Sequence, residues 1–132
     1  MITYKKDKDL SKYVGMKKEF QHQIDGRLKG ILLELDDWAY DMYRIPTVIT
    51  CLNRSKEENE RLGGVPWSAH LFGRGADIRS HHYTEKMIQS IVRHLEETWG
   101  DMIFIKYHDS GSGDHIHINI KYAYRKEVII GT

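Results

Sequence analysis

Apolar and polar positions recur along this chain with two different periods, and the switches between them predict its elements. Between residues 20 and 43, Ile24, Leu28, Ile31, Leu32, Leu35, Trp38, Ala39 and Met42 return at steps of three and four. That is the stripe of one amphipathic helix ending before Pro46. Thr47-Val48-Ile49-Thr50-Cys51-Leu52 is β-branched and compact, which predicts a buried strand. Ser55 followed by Glu57, Glu58 and Glu60 predicts a capped short helix that Gly63-Gly64 closes. Thr84 predicts the cap of a second long helix to about Trp99, with Met87, Ile88, Ile91, Val92 and Leu95 on one face.

Further strands are predicted at Gly75 to Arg79, at Met102 to Tyr107 and at Ile116 to Tyr122. The last two are separated by Asp109-Ser110-Gly111-Ser112-Gly113-Asp114, a spacer suited to a hairpin with a longer loop. Two long helices segregated from three or four mostly antiparallel strands predict an α+β domain. No repeat, low-complexity tract or linker divides residues 1–132, so one domain is expected.

Composition narrows the function classes. Twenty basic residues against nineteen acidic ones leave a net charge of +1, no field that argues for a nucleic acid or an anionic membrane. Lys5, Lys6, Lys8, Lys12, Lys17 and Lys18 cluster near the start, but Asp7, Asp9 and Glu19 interrupt them, and a solvated face is expected. Cys51 is the single cysteine, which excludes an intrachain disulfide. No run approaches the ~18 apolar residues of a membrane span, and the start has no signal-peptide core, so cytoplasmic synthesis without membrane insertion is expected.

Eight histidines are many for this length, and their placement carries the chemistry. In Asp114-His115-Ile116-His117-Ile118-Asn119, strand periodicity puts His115 and His117 side by side on one face and turns Ile116, Ile118 and Ile120 to the core. Taken alone, the pair fits the solvent face of a sheet as well as a site. A second segment, Ser68-Ala69-His70-Leu71-Phe72-Gly73-Arg74-Gly75-Ala76-Asp77, shifts the balance towards metal binding. Histidine and aspartate are both good zinc ligands, and Gly64, Pro66, Gly73 and Gly75 frame a loop able to turn His70 towards Asp77. Asp77 lies between Ala76 and Ile78 in an apolar strand, where a carboxylate is expensive unless paired or metal-bound.

These two segments resemble the zinc D-alanyl-D-alanine peptidases that share a fold with hedgehog signalling domains. The family pattern Ser-x-His-x-x-Gly-x-Ala-x-Asp, followed by His-x-His, is matched by Ser68, His70, Gly73 and Asp77 and by His115 and His117, with Gly75 in place of alanine. The resemblance implies that His70, Asp77 and His117 hold Zn2+ and that His115 is the catalytic group beside it. A weaker match sets Thr50-Cys51-Leu52-Asn53-Arg54-Ser55 against Thr-Ser-Gly-aromatic-Arg-Ser, implying a substrate-binding role for Arg54. The likeness covers roughly residues 45–122 and finds no counterpart for the first 20 residues. It implies a peptidoglycan stem peptide as substrate, hydrolysed through a metal-activated water, at the bacterial wall in phage lysis or within a virion. Trp67, Phe72 and Tyr107 are candidate pocket walls, His81 and His82 candidate supports of the site, and His108 and Asp109 candidate cleft residues. His22 and His94 fall on helices and are expected to be solvated or partly packed.

Two other readings use the same residues. A binding or virion module of this fold would keep zinc for stability and tolerate changes at His115 and Arg54. A single-strand DNA nuclease also uses a His-hydrophobic-His strand, with a tyrosine nucleophile. It would have to use Tyr122 or Tyr124, at a strand end, and would leave His70 and Asp77 unexplained.

Overall fold

The computed structural model describes residues 2–5, 11–108, 114–122 and 127–130, with the side chains of 11–14 and 108 left aside. The spacer 109–113, Tyr124, and Lys6 and Lys8 of the N-terminal cluster therefore lie outside the described residues, as do the side chains of Lys12 and His108.

The chain runs β1 (Thr3–Tyr4), α1 (Ser11–His22), α2 (Gly26–Tyr43), β2 (Val48–Cys51) and α3 (Lys56–Arg61). A 3₁₀ turn (Ala69–Phe72), β3 (Gly75–Arg79), α4 (Glu85–Trp99), a second 3₁₀ turn (Gly100–Met102), β4 (Ile103–His108) and β5 (His115–Ile120) follow. The α+β class is as expected. The sheet has five strands in the order β1-β2-β3-β5-β4. Its β2–β3, β3–β5 and β5–β4 pairs are antiparallel, while β1 joins β2 in parallel, so the sheet is mixed.

The single helix expected over 20–43 is two helices. Asp25 caps α2, its carboxylate accepting from Arg27 N at 2.8 Å, and this breaks the chain between Phe20 and Leu28. Met16 and Phe20, one helical turn apart on α1, join the core in their own right. Along α2 the predicted stripe is otherwise correct, with Leu28, Ile31, Leu32, Leu35 and Ala39 buried. Met42 is the exception, exposed in the last turn.

The remaining boundaries follow their signals closely. Ser55 caps α3 through Glu58 N, and Thr84 caps α4 through Met87 N. Ile88, Ile91 and Leu95 of α4 pack with the α2 stripe against Ile116, Ile118 and Ile120 of β5. The strand predicted over 47–52 is β2 at Val48–Cys51, half-buried rather than buried throughout: Ile49 and the following Leu52 are in the core, whereas Val48, Thr50 and Cys51 are partly exposed. Helices cover one face of the sheet and the polar alternates of β5 occupy the other. Among the described residues no helix is long and apolar enough to cross a membrane.

Candidate metal centre

Strand register builds half of the centre. Asp77 on β3 is paired with His117 on β5, and His117 in turn with Lys106 on β4. Asp77, His117 and Lys106 thus form one row across the sheet. His115 and Asn119 flank His117 at two-residue steps on the same face.

The loop before β3 builds the other half. Ser68 caps the 3₁₀ turn by accepting from His70 N at 3.3 Å, and Gly73 ends it with φ +71°. The Gly73 carbonyl also accepts from Asp25 N at 2.9 Å, so the cap of α2 anchors the loop. At Gly75 a Cβ would stand 3.2 Å from both Ala69 Cβ and His70 N. Glycine there lets the turn lie directly on the strand. Arg54 N donates to the His70 carbonyl at 2.9 Å and ties the turn to the end of β2.

The two histidines meet on one carboxylate oxygen. His70 Nε2 lies 3.3 Å from Asp77 Oδ1, and His117 Nδ1 lies 2.9 Å from the same atom. Their outer nitrogens are already engaged. His70 Nδ1 donates to the Leu52 carbonyl at 2.5 Å. His117 Nε2 faces Asn119 Oδ1 at 2.8 Å, an orientation fixed because Asn119 Nδ2 donates to the Ile120 carbonyl. Each ring can therefore keep one proton on its outer nitrogen, and the inner nitrogen then either donates a second proton to Asp77 or offers a lone pair to a metal ion. Two lone pairs and a carboxylate converging where His70 is 3% and Asp77 5% exposed require a cation among them.

A proton or a metal ion meets that requirement. In the metal-free protein, burial works against charge on His70, but hydrogen bonding to Asp77, with Cys51 beside it, pushes its pKa up to about 10. Burial also opposes ionisation of Asp77, yet hydrogen bonds from His117 and His70 hold its carboxyl well below the usual range. Two imidazole nitrogens and a carboxylate oxygen are also a zinc donor set, with both rings oriented by oxygen acceptors behind them. The residues present fit that ion.

The other oxygen of Asp77 faces the remaining predicted residues. His115 Nε2 lies 3.8 Å and Arg54 Nη2 3.7 Å from Asp77 Oδ2. Arg54 is a half-buried site residue, its Nη1 also donating to Asn59 Oδ1 at 3.4 Å. All five predicted residues, His70, Asp77, His115, His117 and Arg54, thus line one cleft of about 880 Å³.

Several groups near the site were not foreseen. Cys51 pairs with Asp77 across β2–β3, and its Sγ lies 3.8 Å from His70 Nδ1. Ligand atoms of Cys51, His70 and Asp77 come within 4.8 Å of one another, the one such group of three among the described residues. In the sequence Cys51 signals only the absence of a disulfide, because the pairing of β2 with β3 is not local. Asn119 was legible as the next same-face position after His115 and His117. Of the predicted walls, Trp67 lines the cleft, but Phe104 takes the place expected of Phe72 and Tyr107. The reason is register: Tyr107 lies opposite Ile116 and Phe104 opposite Asn119, so their faces are reversed. Phe72 instead packs under Arg74. His81 and His82 are exposed and contact each other edge to face, away from the cleft lining. His22 is solvated, and His94 stacks on Trp38 while contacting Glu34 at 2.7 Å.

Comparison with known protein families then places the chain. The family model described as Peptidase M15 matches residues 12–119. The chain belongs to the peptidase M15 family, whose members are zinc-dependent peptidases. The match extends the likeness upstream of residue 45 to take in α1 and α2, correcting for residues 12–20 the expectation that the first 20 residues have no counterpart. No curated protein and no solved structure matches the chain.

Proposed function

We propose that this protein is a zinc peptidase that hydrolyses a peptide bond in peptidoglycan stem peptides, with His70, Asp77 and His117 as the metal ligands. The observation that carries the ligand assignment is the sharing of Asp77 Oδ1 by His70 Nε2 and His117 Nδ1. Cys51 is the less suitable third donor, because its sulfur stands beside the His70 nitrogen that donates to Leu52. Zinc, when bound, supplies Lewis acidity that acidifies water to a pKa of about 7 and polarises a carbonyl.

The chain's own residues supply the rest. His115, on the open side of Asp77, accepts a proton from attacking water and returns it to the leaving amine. Arg54, held beside Asp77, binds a substrate carboxylate or the developing oxyanion. Trp67 and Phe104 give the cleft apolar walls. The peptidoglycan substrate rests on the motif resemblance and the family match, and it sets the place of action at the bacterial wall, in phage lysis or a virion.

Metal analysis combined with mass spectrometry of stem-peptide digests tests this reading. Wild type is expected to carry zinc and cut, and His115→Ala to carry zinc without cutting. Zinc in both with cleavage by neither would leave a zinc-stabilised binding module. The nuclease alternative has less support, since His115 and His117 both face Asp77 and Tyr122 is an exposed residue beyond the end of β5.

A further inference from the structure

Resting on the peptidase reading above, we infer that Lys106 is a specificity-determining residue that binds a second carboxylate of the substrate, on the opposite flank of the centre from Arg54. Among the cleft-lining residues the cations are not equally engaged. Arg54 faces Asp77 and Asn59. Arg74 is bound by Glu127 at 2.6 Å and by the Ile120 carbonyl. Lys106 is exposed at the cleft wall, with no carboxylate among the described residues within ion-pair reach.

Charge balance makes this significant. Asp77 is the one carboxylate among the described lining residues, and it already faces His70, His117 and Arg54. Once a divalent ion joins Asp77, Arg54 and Lys106 are both in excess of the negative charge that the described wall residues supply. A cleft of that sign favours an anionic substrate.

Geometry sets where the charge falls. The Arg54 guanidinium stands beside Asp77 on β3, and Lys106 belongs to β4, with β5 and His117 between them. Two strand spacings are ~10 Å, the length of about three residues of extended peptide. The substrate class is therefore a short peptide with two carboxylates about three residues apart, crossing the strands above the centre. Arg54 takes one end and Lys106 the other.

The test uses a peptide carrying both carboxylates and its two singly amidated forms, with zinc-loaded protein. Wild type is expected to show KM about tenfold higher when the carboxylate distal to Arg54 is amidated, the size of one lost charge-assisted contact. In Lys106→Gln the ratio between acid and amide falls to near one, and Lys106→Glu inverts it. Calorimetric binding of the same peptides to zinc-loaded His115→Ala should follow the same ratios without turnover. Equal kcat/KM for acid and amide in wild type, or an unchanged ratio in Lys106→Gln, overturns the assignment of Lys106. Absence of cleavage overturns the peptidase reading instead, and the binding ratios then decide the role of Lys106 alone.

Discussion

His117 and His70 reach the same oxygen of Asp77 from two differently built regions. His117 stands on β5, in register with Asp77 across an antiparallel pair, with Ile116 and Ile118 packed behind it. Ladder hydrogen bonds fix its position and the Asn119 side chain fixes its ring. His70 stands on a short 3₁₀ turn with neither periodicity nor a long element to hold it. Its place depends on Gly73, on the close approach at Gly75, and on backbone bonds from Arg54 and to Leu52. A site residue on a strand is positioned by secondary structure, and one on a loop by tertiary contacts.

The largest expected effect falls where the two regions meet. Asp77→Asn removes the charge that both rings share, so zinc retention and peptide cleavage should both be lost. Breaking a buried ionic cluster by removing one member destabilises by ~3–5 kcal/mol, readable by denaturant titration with metal analysis. Full zinc content in that variant would show that the regions do not converge on one ion.

Next comes His115→Ala, which shares the strand of His117 but is assigned proton transfer rather than metal binding. Turnover should fall by ~10²–10⁴-fold with zinc content unchanged. Loss of zinc instead would place His115 among the ligands.

The two supports can then be weakened separately. Asn119→Ala should reduce zinc affinity by ~10–100-fold, measured in competition with a chelator, with little change in melting temperature. Gly75→Ala pushes a methyl group against Ala69 and His70 N, and should destabilise by about 1 kcal/mol and loosen the His70 limb. An equal loss of affinity at both positions would mean that the loop is as rigid as the strand.

The smallest effect is a proton count. His70, with its pKa near 10, is protonated at neutral pH without metal. Zinc uptake at pH 7 should therefore release about one proton, measured by calorimetry in buffers of different ionisation enthalpy. The same shifts give the sign for the metal-free protein. The His70 contribution is complete below its unfolded pKa of about 6.5 and fades as pH rises towards 10. The Asp77 contribution is complete above about 3.8 and fades as pH falls. Metal-free stability from this pair should be greatest between about pH 4 and 6.5.

The contrast between the regions also explains what the sequence disclosed. The faces of α4 and β5 were legible because each keeps one period and buries one side: Ile88, Ile91 and Leu95 at helical steps, Ile116, Ile118 and Ile120 at strand steps. His115, His117 and, in principle, Asn119 follow from the same alternation. The division of 20–43 was missed because Phe20, Ile24 and Leu28 keep a four-residue spacing across a break made by one aspartate. Lys106, Phe104 and Cys51 could not be placed, since each joins the site through pairing with a distant strand. Arg54 had only a weak motif behind it, and its direction depends on Asp77.

One bond has a consequence for how this centre tolerates sequence drift. The His70 ring is oriented by the carbonyl of Leu52, a group that every residue type carries. Substitution at 52 can alter packing without withdrawing that acceptor. Asn53 likewise precedes an anchoring amide, that of Arg54, which any residue except proline would supply. Residues 52 and 53 depart from the motif, yet they act on His70 through main-chain atoms, whereas Cys51 keeps its Sγ 3.8 Å from the His70 ring. Side-chain identity at 52 and 53 is therefore nearly invisible to His70, which leaves those two positions, and not 51, as a natural place to graft new substrate contacts.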